Sequence, residues 1–353
     1  MASRLRTAPR REPRDDGDIH RRAQPTDRLV RKPRPSRHRT HRPLGGSARP
    51  CRPRALPLGE PRSRRGRTSL VTTNITTDRF KGKVALVSGA GRGQGRQVAV
   101  DLAKEGADIV GFDICEDIPT ASVSMSSAED LDKTRAEVEA TGCSMVAMHA
   151  DVRDYTQVEG VVERGLAEFG RLDVVVANAG IVADTGPFWE LSLQGWNDII
   201  ATNLTGVFHT VKAATPAIIE GGRGGALVLV ASAGATKGFP NISNYVAAKQ
   251  GVTGLIRPMA AELGPYNIRV NALSPTNVAT DLFMSETNKK LFVPHLADPT
   301  DEDYEEAWRP MHVLPVGWIE ATDTSAATRW LASDEARYVT GIELRVDAGV
   351  VVR

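Results

Sequence analysis

The fold is decided by the stretch Val84-Ala85-Leu86-Val87-Ser88-Gly89-Ala90-Gly91-Arg92-Gly93-Gln94-Gly95. Its first five residues are apolar or small, which is typical of a parallel strand buried on both faces. Gly89, Gly93 and Gly95 then follow a Gly-x-x-x-Gly-x-Gly spacing, and residues 96–104 place apolar side chains on one face at helical spacing. A strand, a glycine turn and a helix in this order let backbone N–H groups approach a pyrophosphate at the helix N-terminus. The stretch therefore predicts the first unit of a dinucleotide-binding fold.

The rest of the chain repeats this alternation. Apolar runs predict six further strands, at residues 108–112, 145–150, 172–177, 226–231, 268–273 and 341–346, and helical spacing predicts helices at 155–169, 192–220 and 245–263. This pattern predicts an α/β protein, a doubly wound Rossmann-like parallel sheet in a single domain over residues 76–353. Residues 114–128 and 283–315 break the alternation. We expect them to be lid segments, because long loops in compact domains are often functional. The alternative is that both segments are surface loops or subunit contacts.

Charge and proline content set the N-terminal part of the chain apart. The 353-residue chain has a net charge of +2, but residues 1–70 hold 20 Arg and one Lys against six acids, and the remainder carries −13. Ten of the 21 prolines also lie in residues 1–70, which contain no aromatic residue. Such a segment cannot bury enough apolar surface to offset its ordering entropy, so we expect a disordered Arg/Pro-rich tail over residues 1–75.

Four interpretations of this tail compete. Clustered arginines neutralise nucleic-acid phosphates, but the tail has no aromatic side chain for base stacking. An organelle transit peptide is poor in acids, and an export signal needs an apolar run, which does not follow Arg21-Arg22 or Arg64-Arg65. The preferred interpretation is an inert prefix, translated from GC-rich DNA ahead of a true start near Val71. We therefore do not expect a nucleic-acid partner.

Composition excludes two other classes of protein. Three cysteines form no disulfide framework, and no apolar run reaches the ~18 residues of a membrane-spanning helix. We expect a cytoplasmic protein with no membrane partner and no metal site.

An acidic residue ends the second predicted strand. Asp113 lies 18 residues after Gly95, where a carboxylate accepts both hydroxyls of an adenosine ribose. A carboxylate there also repels the 2′-phosphate of NADP, so Asp113 predicts NAD as the cofactor. The alternative is an ordinary loop acid, and Arg92 would favour NADP if its side chain pointed towards the ribose.

Three side chains are suited to acid–base chemistry. Tyr245 and Lys249 are four residues apart, so they share one face of a predicted helix. A lysine ammonium beside a phenol lowers its pKa, which makes Tyr245 a proton acceptor for an alcohol and a donor in the reverse direction. Ser232 follows a predicted strand at the carboxyl edge of the sheet, where open α/β folds bind ligands. The alternative is an ordinary surface pair on a helix.

Two asparagine positions complete the set. Asn178-Ala179-Gly180 follows the fourth strand at the same edge of the sheet. Asn203 lies in the middle of the helix predicted at 192–220, although asparagine is a poor helix former. A plain core or surface role is the alternative for Asn203.

With these positions in place, residues from about 80 to 353 resemble the short-chain dehydrogenase/reductase superfamily. The resemblance rests on the motifs above, on Asp151 and on the closing Val346-Asp347-Ala348-Gly349. It implies a catalytic tetrad: Asn203, Ser232, Tyr245 and Lys249. It also implies these cofactor contacts: Gly89, Arg92, Gly93, Gln94, Gly95, Asp113, Ile114, Asp151, Val152, Asn178, Ala179, Gly180, Tyr245, Lys249, Pro275, Val278 and Thr280.

The resemblance also implies the role of each tetrad member. Tyr245 is the acid/base, and Lys249 binds the nicotinamide ribose and tunes Tyr245. Ser232 holds the substrate oxygen, and Asn203 supports a water-mediated proton relay. Asp151 is implied to contact adenine, and the nicotinamide carboxamide is implied to meet the residues at 278 and 280.

Within the superfamily, the chain is similar to the mycofactocin-coupled, carveol-dehydrogenase-like group. The similarity rests on Gly93-Gln94-Gly95-Arg96, on Phe112-Asp113-Ile114-Cys115 and the long segment after it, and on Ser274-Pro275-Thr276-Asn277-Val278. It implies a homotetramer with tightly held NAD that passes electrons to mycofactocin, a peptide-derived carrier. The chain departs from the wider superfamily at Ser88, which replaces the usual Thr, and at Thr276, which replaces the usual Gly.

These features favour an NAD(H)-dependent oxidoreductase that interconverts a secondary alcohol and its ketone. The alternatives are an NADPH-dependent ketone reductase, which Asp113 disfavours, and a non-catalytic dinucleotide-sensing regulator, which has no use for a tuned phenol. An apolar, terpenoid-like substrate is expected from the predicted pocket wall: Phe188, Trp189, Phe239, Phe283, Met284, Trp308 and Met311. The alternative is that several of these residues belong to the core or to a subunit interface.

Overall fold

The computed structural model describes residues 78–293 and 295–353, so the expected disordered tail over residues 1–75 lies outside the described residues. The strands are β1 (Val84–Ser88), β2 (Asp108–Asp113), β3 (Met145–His149), β4 (Val174–Ala177), β5 (Gly225–Val230), β6 (Ile268–Pro275) and β7 (Glu343–Val346). They form one parallel sheet in the order β3-β2-β1-β4-β5-β6-β7. All seven predicted strands are present, which confirms the doubly wound Rossmann-like fold.

The helices cover both faces of this sheet. They are α1 (Gly93–Lys104), α2 (Ala128–Glu139), α3 (Tyr155–Phe169), α4 (Leu193–Ile200), α5 (Gly206–Gly221), α6 (Gly234–Lys237), α7 (Ser243–Leu263), α8 (Glu286–Phe292), α9 (Asp301–Trp308) and α10 (Ala321–Ala332). The helix expected at 192–220 is interrupted, because a π-helical turn, Ala201–Thr205, joins α4 to α5. No helix in the described part of the chain is both long and apolar enough to span a membrane.

Two large apolar clusters cover the sheet, one on each face. Ala85 and Val87 of β1 pack with α1, α2 and α10, whereas Val84 and Leu86 pack with α3, α5 and α7. Successive side chains of a strand point to opposite faces, so a strand buried on both sides is apolar throughout. This explains why the central strands read as unbroken apolar runs.

The strand order reverses at β1, and this reversal determines where ligands can bind. The chain runs outward from β1 to β2 and β3, then returns to the other side of β1 with β4. Connections on opposite sides of the sheet separate at this point and leave a crevice at the carboxyl ends of β1 and β4. The glycine turn after β1 and the asparagine turn after β4 both lie at this edge.

A charge cluster ties the end of α1 to α10. The buried Glu105 carboxylate accepts hydrogen bonds from Arg79 Nε at 2.6 Å and Nη2 at 2.7 Å, and it also pairs with Arg329. Both guanidinium groups are only partly exposed, and Glu105 is the nearest carboxylate to each of them. Their second carboxylates are farther away: Glu335 lies 3.5 Å from Arg79, and Asp101 lies 4.0 Å from Arg329.

We predict that Glu105→Ala lowers the free energy of unfolding by about 1–3 kcal/mol, because two partly buried guanidinium groups lose their nearest acceptor. Urea denaturation measures this change. The matched control is Glu139→Ala, which removes an exposed glutamate at the end of α2 and is expected to change stability by less than about 0.5 kcal/mol. Equal effects of the two substitutions would contradict the prediction.

Candidate functional site

The glycine turn between β1 and α1 cannot be built from larger residues. Gly89 has φ +67° and Gly93 has φ +54°, conformations that L side chains rarely adopt. A β-carbon on Gly95 would overlap the carbonyl oxygen of Gly89. These glycines bring the N-terminus of α1 close to the crevice, where its free N–H groups favour an anion.

Hydrogen bonds of the Ser88 and Asn178 side chains fix the glycine turn to the asparagine turn after β4. Ser88 Oγ accepts the backbone N–H groups of Asn178 at 3.0 Å and Ala179 at 3.1 Å. The Asn178 side chain donates in return to the carbonyl oxygens of Ser88 at 3.1 Å and Gly89 at 3.2 Å. Serine retains the hydroxyl that these bonds require, so the departure from the usual threonine preserves the lock between the two turns.

A cavity of about 130 Å³ opens beside the glycine turn. Twelve of the cofactor-contact residues expected from the sequence line it: Gly89, Arg92, Gly93, Gln94, Asp113, Ile114, Asp151, Val152, Asn178, Ala179, Gly180 and Thr280. The buried Asp113 carboxylate accepts the backbone N–H groups of Gly91 at 2.8 Å and Ile114 at 2.9 Å. A carboxylate has about four acceptor positions, so two remain for ribose hydroxyls.

Two charged side chains that line this cavity are already hydrogen-bonded to other residues of the chain. Arg92 donates to the carbonyl oxygen of Ser124, so its side chain is bound to the segment that follows β2. Asp151 accepts from the backbone N–H of Arg153 at 2.8 Å and from its Nε at 2.7 Å. Arg153 also pairs with Asp198 of α4 at 3.5 Å.

Residues 114–127, which we name the strap, cover one side of this cavity. Ala121 forms a bridge with Ala183, and the Ser122 N–H donates to Val182 at 2.8 Å. The Thr120 hydroxyl donates to Asp198 at 2.6 Å. The strap therefore leaves the end of β2, contacts the loop after β4 and Asp198 in the second half of α4, and ends where α2 begins.

A larger cavity of about 480 Å³ adjoins the first one and contains the expected acid–base residues. Its wall includes Ser232, Tyr245 and Lys249, together with six of the expected cofactor contacts: Gln94, Asn178, Gly180, Pro275, Val278 and Thr280. Tyr245 and Lys249 lie on α7, and Lys249 Nζ is 5.7 Å from the centre of the Tyr245 ring. Lys249 Nζ also donates to the carbonyl oxygen of Val230 at 2.8 Å, which fixes the ammonium to the last residue of β5.

Burial, rather than the neighbouring lysine, dominates the titration of these groups. Burial raises the pKa of Tyr245, and a hydrogen bond with Ser232 lowers it by a smaller amount. Burial lowers the pKa of Lys249 to about 8. The sequence predicted a lowered tyrosine pKa, and the structure differs because removing the phenol from water disfavours the phenolate. Tyr245 is therefore a neutral phenol at neutral pH.

Two of the expected site residues do not reach either cavity wall. Gly95 packs behind the glycine turn against Gly89. Asn203 lies in the π-helical turn, is fully buried, and exchanges two hydrogen bonds with Ile181: its Oδ1 accepts the N–H at 2.8 Å, and its Nδ2 donates to the carbonyl oxygen at 2.8 Å. The Asn203 side chain therefore holds the loop after β4 in place beside Gly180.

Residues 283–315, which we name the aromatic lid, form much of the outer wall of the larger cavity. They contain α8 and α9, whose aromatic side chains pack on one another around Tyr304 and Trp308. Of the expected wall residues, Phe239, Phe283, Trp308 and Met311 line the cavity. Met284 packs within the aromatic cluster instead. Phe188 and Trp189 are wrongly assigned to the wall, because each is 71% exposed and neither lines the cavity.

Comparison with known proteins agrees with this geometry. Residues 89–351 match a family model described as enoyl-(acyl carrier protein) reductase. The chain is 49% identical to a putative short-chain type dehydrogenase/reductase of Mycolicibacterium smegmatis, over 78% of this chain and 99% of that protein. It is 44% identical to (-)-trans-carveol dehydrogenase of Rhodococcus erythropolis, with the same coverage. It superposes on carveol dehydrogenase from Mycobacterium avium in complex with NAD with a TM-score of 0.77, at 47% identity over 78% of this chain and 99% of that one.

The chain belongs to the short-chain dehydrogenase/reductase superfamily. Its relatives include carveol dehydrogenases, which confirms the carveol-dehydrogenase-like resemblance that the sequence motifs indicated. In this short-chain dehydrogenase/reductase, the adjoining cavities contain buried polar atoms that lack hydrogen-bond partners within the described residues: Gln94 Oε1, Ser126 Oγ, Thr202 Oγ1 and Asn277 Nδ2. An unpaired buried polar atom is unfavourable, so these atoms fit a site built for a polar ligand such as a dinucleotide.

Sequence reasoning missed three of these four polar residues. Ser126 lies in the strap, where no periodicity reveals which side chains face inward. Thr202 and Asn277 are neighbours of residues that the sequence did single out, Asn203 and Val278. Their positions next to Asn203 and Val278 were the only sequence signal that could have identified them. Among residues 78–293 and 295–353, the structure shows no cluster of three or more His, Cys, Asp or Glu side chains that could hold a metal ion.

We predict that Gly95→Ala destabilises this short-chain dehydrogenase/reductase by about 1–3 kcal/mol, because the new β-carbon meets the rigid backbone of Gly89. The matched control is Gly254→Ala on α7, where a β-carbon meets nothing within 4 Å and is expected to stabilise the helix by about 0.5–1 kcal/mol. Thermal melts of both variants measure the difference. A Gly95→Ala protein as stable as the Gly254→Ala control would show that the turn tolerates a side chain.

Proposed function

We propose that the chain is an NAD-dependent dehydrogenase that interconverts a secondary alcohol and its ketone. One observation carries the proposal: Ser232, Tyr245 and Lys249 converge on the wall of an apolar cavity that shares Gln94 and Thr280 with the cavity at the glycine turn. A reacting alcohol and a dinucleotide can therefore meet in one continuous space. The NAD complex of the Mycobacterium avium relative supports the choice of cofactor.

The residues present fit NAD along the length of the crevice. Asp113 would hold the adenosine ribose, the N-terminus of α1 would face the pyrophosphate, and Lys249 would hold the nicotinamide ribose. Val278 and Thr280 would face the carboxamide. When bound, the nicotinamide supplies the hydride acceptor and donor at its C4 atom.

The chain itself handles the proton. The Ser232 hydroxyl would hold the substrate oxygen beside the Tyr245 hydroxyl. Because burial keeps Tyr245 protonated at neutral pH, it is ready to donate its proton to a ketone oxygen. Oxidation of an alcohol needs the phenolate instead, so it is favoured by raising the pH. The Lys249 ammonium would favour that phenolate only below its own pKa of about 8, where the lysine is charged.

The cavity wall favours an apolar substrate of terpenoid size. Aromatic and aliphatic side chains dominate the lid side, and the volume of about 480 Å³ lies in the usual range for small-molecule sites. The relative named (-)-trans-carveol dehydrogenase makes that alcohol the first compound to test.

We further propose that NAD is held tightly and is reoxidised by mycofactocin rather than exchanged. Support comes from the strap, which covers the adenosine side of the crevice through contacts with α4 and with the loop after β4. The aromatic lid covers the other end. Exposed Trp196 of α4 and Phe208 of α5 also support the homotetramer that the family resemblance implies, because subunit contacts would cover them. Light scattering tests that assembly.

We predict that Tyr245→Phe folds and binds NAD but loses about 10²–10⁴-fold in kcat, because only the proton-transferring hydroxyl is removed. Turnover of (-)-trans-carveol and the dinucleotide content of the purified protein are measured together. Near-normal kcat in this variant would exclude Tyr245 as the acid/base.

We predict that the enzyme prefers NAD to NADP and that Asp113→Asn narrows this preference. The substitution removes the negative charge facing the ribose but keeps an oxygen for the Gly91 N–H. Titration calorimetry measures the affinities for NAD and NADP, and their ratio gives the preference. A thermal melt of each protein is the folding control. A wild-type preference for NADP would refute this reading of the carboxylate.

We predict that NAD copurifies with the protein and that Thr120→Val accelerates its loss on gel filtration, because the strap loses its hydrogen bond to Asp198. Thr141→Val, between α2 and β3, is the control and should retain NAD as the wild type does. An artificial electron acceptor should restore turnover in the wild type. Rapid loss of NAD from the wild type, with brisk reduction of free NAD, would contradict tight retention.

A further inference from the structure

Thr276, which replaces the glycine usual in the superfamily, is hydrogen-bonded to His312. Thr276 Oγ1 lies 2.7 Å from Nε2 of His312, and the other ring nitrogen, Nδ1, lies 2.8 Å from the carbonyl oxygen of Val316. A carbonyl can only accept, so Nδ1 carries the ring proton and Nε2 accepts the Thr276 hydroxyl proton. His312 is 1% exposed, and burial lowers its pKa, which keeps the ring in this neutral form.

The bond joins two walls of the larger cavity. Thr276 follows Pro275 and precedes Val278, in the loop proposed to face the nicotinamide. His312 follows Met311 at the end of the aromatic lid, whose side chains form the apolar wall. The Thr276 hydroxyl is the side-chain bond between the cofactor loop and the end of the lid. Backbone bonds also join this loop to Met284 at the start of the lid and to Ile319 just beyond its end.

The C-terminus supports the same junction from the other side. Arg353 donates to the carbonyl oxygen of His312 at 2.9 Å, and the N–H groups of Val313 and Leu314 both donate to Ala348 at 3.0 Å. The lid end is thus fixed to the C-terminal turn, while Thr276 fixes it to the loop that faces the reaction. A glycine at position 276 would leave the buried Nε2 without its donor.

We propose that Thr276 and His312 are positioning residues that hold the aromatic lid against the Pro275–Thr280 loop and thereby set the affinity for the apolar substrate. This inference rests on the proposed function, because it concerns the substrate of the same site. Neither residue handles the transferred proton or hydride. Their loss therefore affects substrate binding more than the chemical step.

The test compares Thr276→Val, which keeps the shape of the side chain and removes the hydroxyl, with Thr276→Ser, which keeps the hydroxyl. With (-)-trans-carveol and an artificial electron acceptor, KM in Thr276→Val is expected to rise about three- to tenfold, with kcat within about twofold of the wild type. Thr276→Ser is expected to behave as the wild type. His312→Phe should reproduce the rise in KM, and combining it with Thr276→Val should add little, because both remove the same bond.

Hydrogen exchange of the peptide covering residues 309–316 supplies a readout that does not need activity. Faster exchange there in Thr276→Val, restored in Thr276→Ser, is expected if the bond holds the lid. Unchanged exchange and unchanged KM in Thr276→Val would overturn the inference. A three- to tenfold fall in kcat with KM unchanged would also overturn it. If Thr276→Val does not fold, His312→Phe is judged by the same criteria. A wild-type protein that does not oxidise secondary alcohols with NAD would refute the proposed function alone, and hydrogen exchange would still decide the role of Thr276.

Discussion

The close approach of α1 to the end of β1 is the constraint on which the rest of the site depends. Gly95 packs against the Gly89 carbonyl with no room for a side chain, and Ser88 is hydrogen-bonded to the neighbouring turn. If either contact were lost, the first turn of α1 would move away from the crevice. Its free N–H groups would then no longer face the position proposed for a pyrophosphate, and the adjoining cavities would not line up.

The parallel sheet brings chemistry-bearing residues together although they are far apart in sequence. The turns after β1, β4, β5 and β6 all lie at the carboxyl edge, so Asn178, Ser232 and Val278 reach one continuous space. α7 adds Tyr245 and Lys249 from the side. Because every strand points the same way, a residue that directly follows a strand is placed at this edge, independent of loop length.

This regularity explains what the sequence alone could predict. Strand ends, the glycine turn and the pair on α7 follow from local patterns, and each lies where those patterns indicated. The exposure of Phe188 and Trp189 could not be predicted, because an aromatic residue in a loop has the same sequence signal whether it faces a cavity or water. The direction of the Tyr245 pKa shift also needed the structure, since burial depends on residues brought in from other strands.

The π-helical turn between α4 and α5 has a consequence for how this chain can vary. A π-turn spreads one extra residue over a single wide turn, so the α-helices on either side of it keep nearly the phase of one uninterrupted helix. Deleting a single residue within Ala201–Thr205 would therefore restore a regular helix and leave the apolar face of α5 on the core. The same deletion would remove the widened turn that carries Asn203, and with it the pair of hydrogen bonds to Ile181. One extra residue thus lets a single long helix serve both the core and the loop beside the cavity.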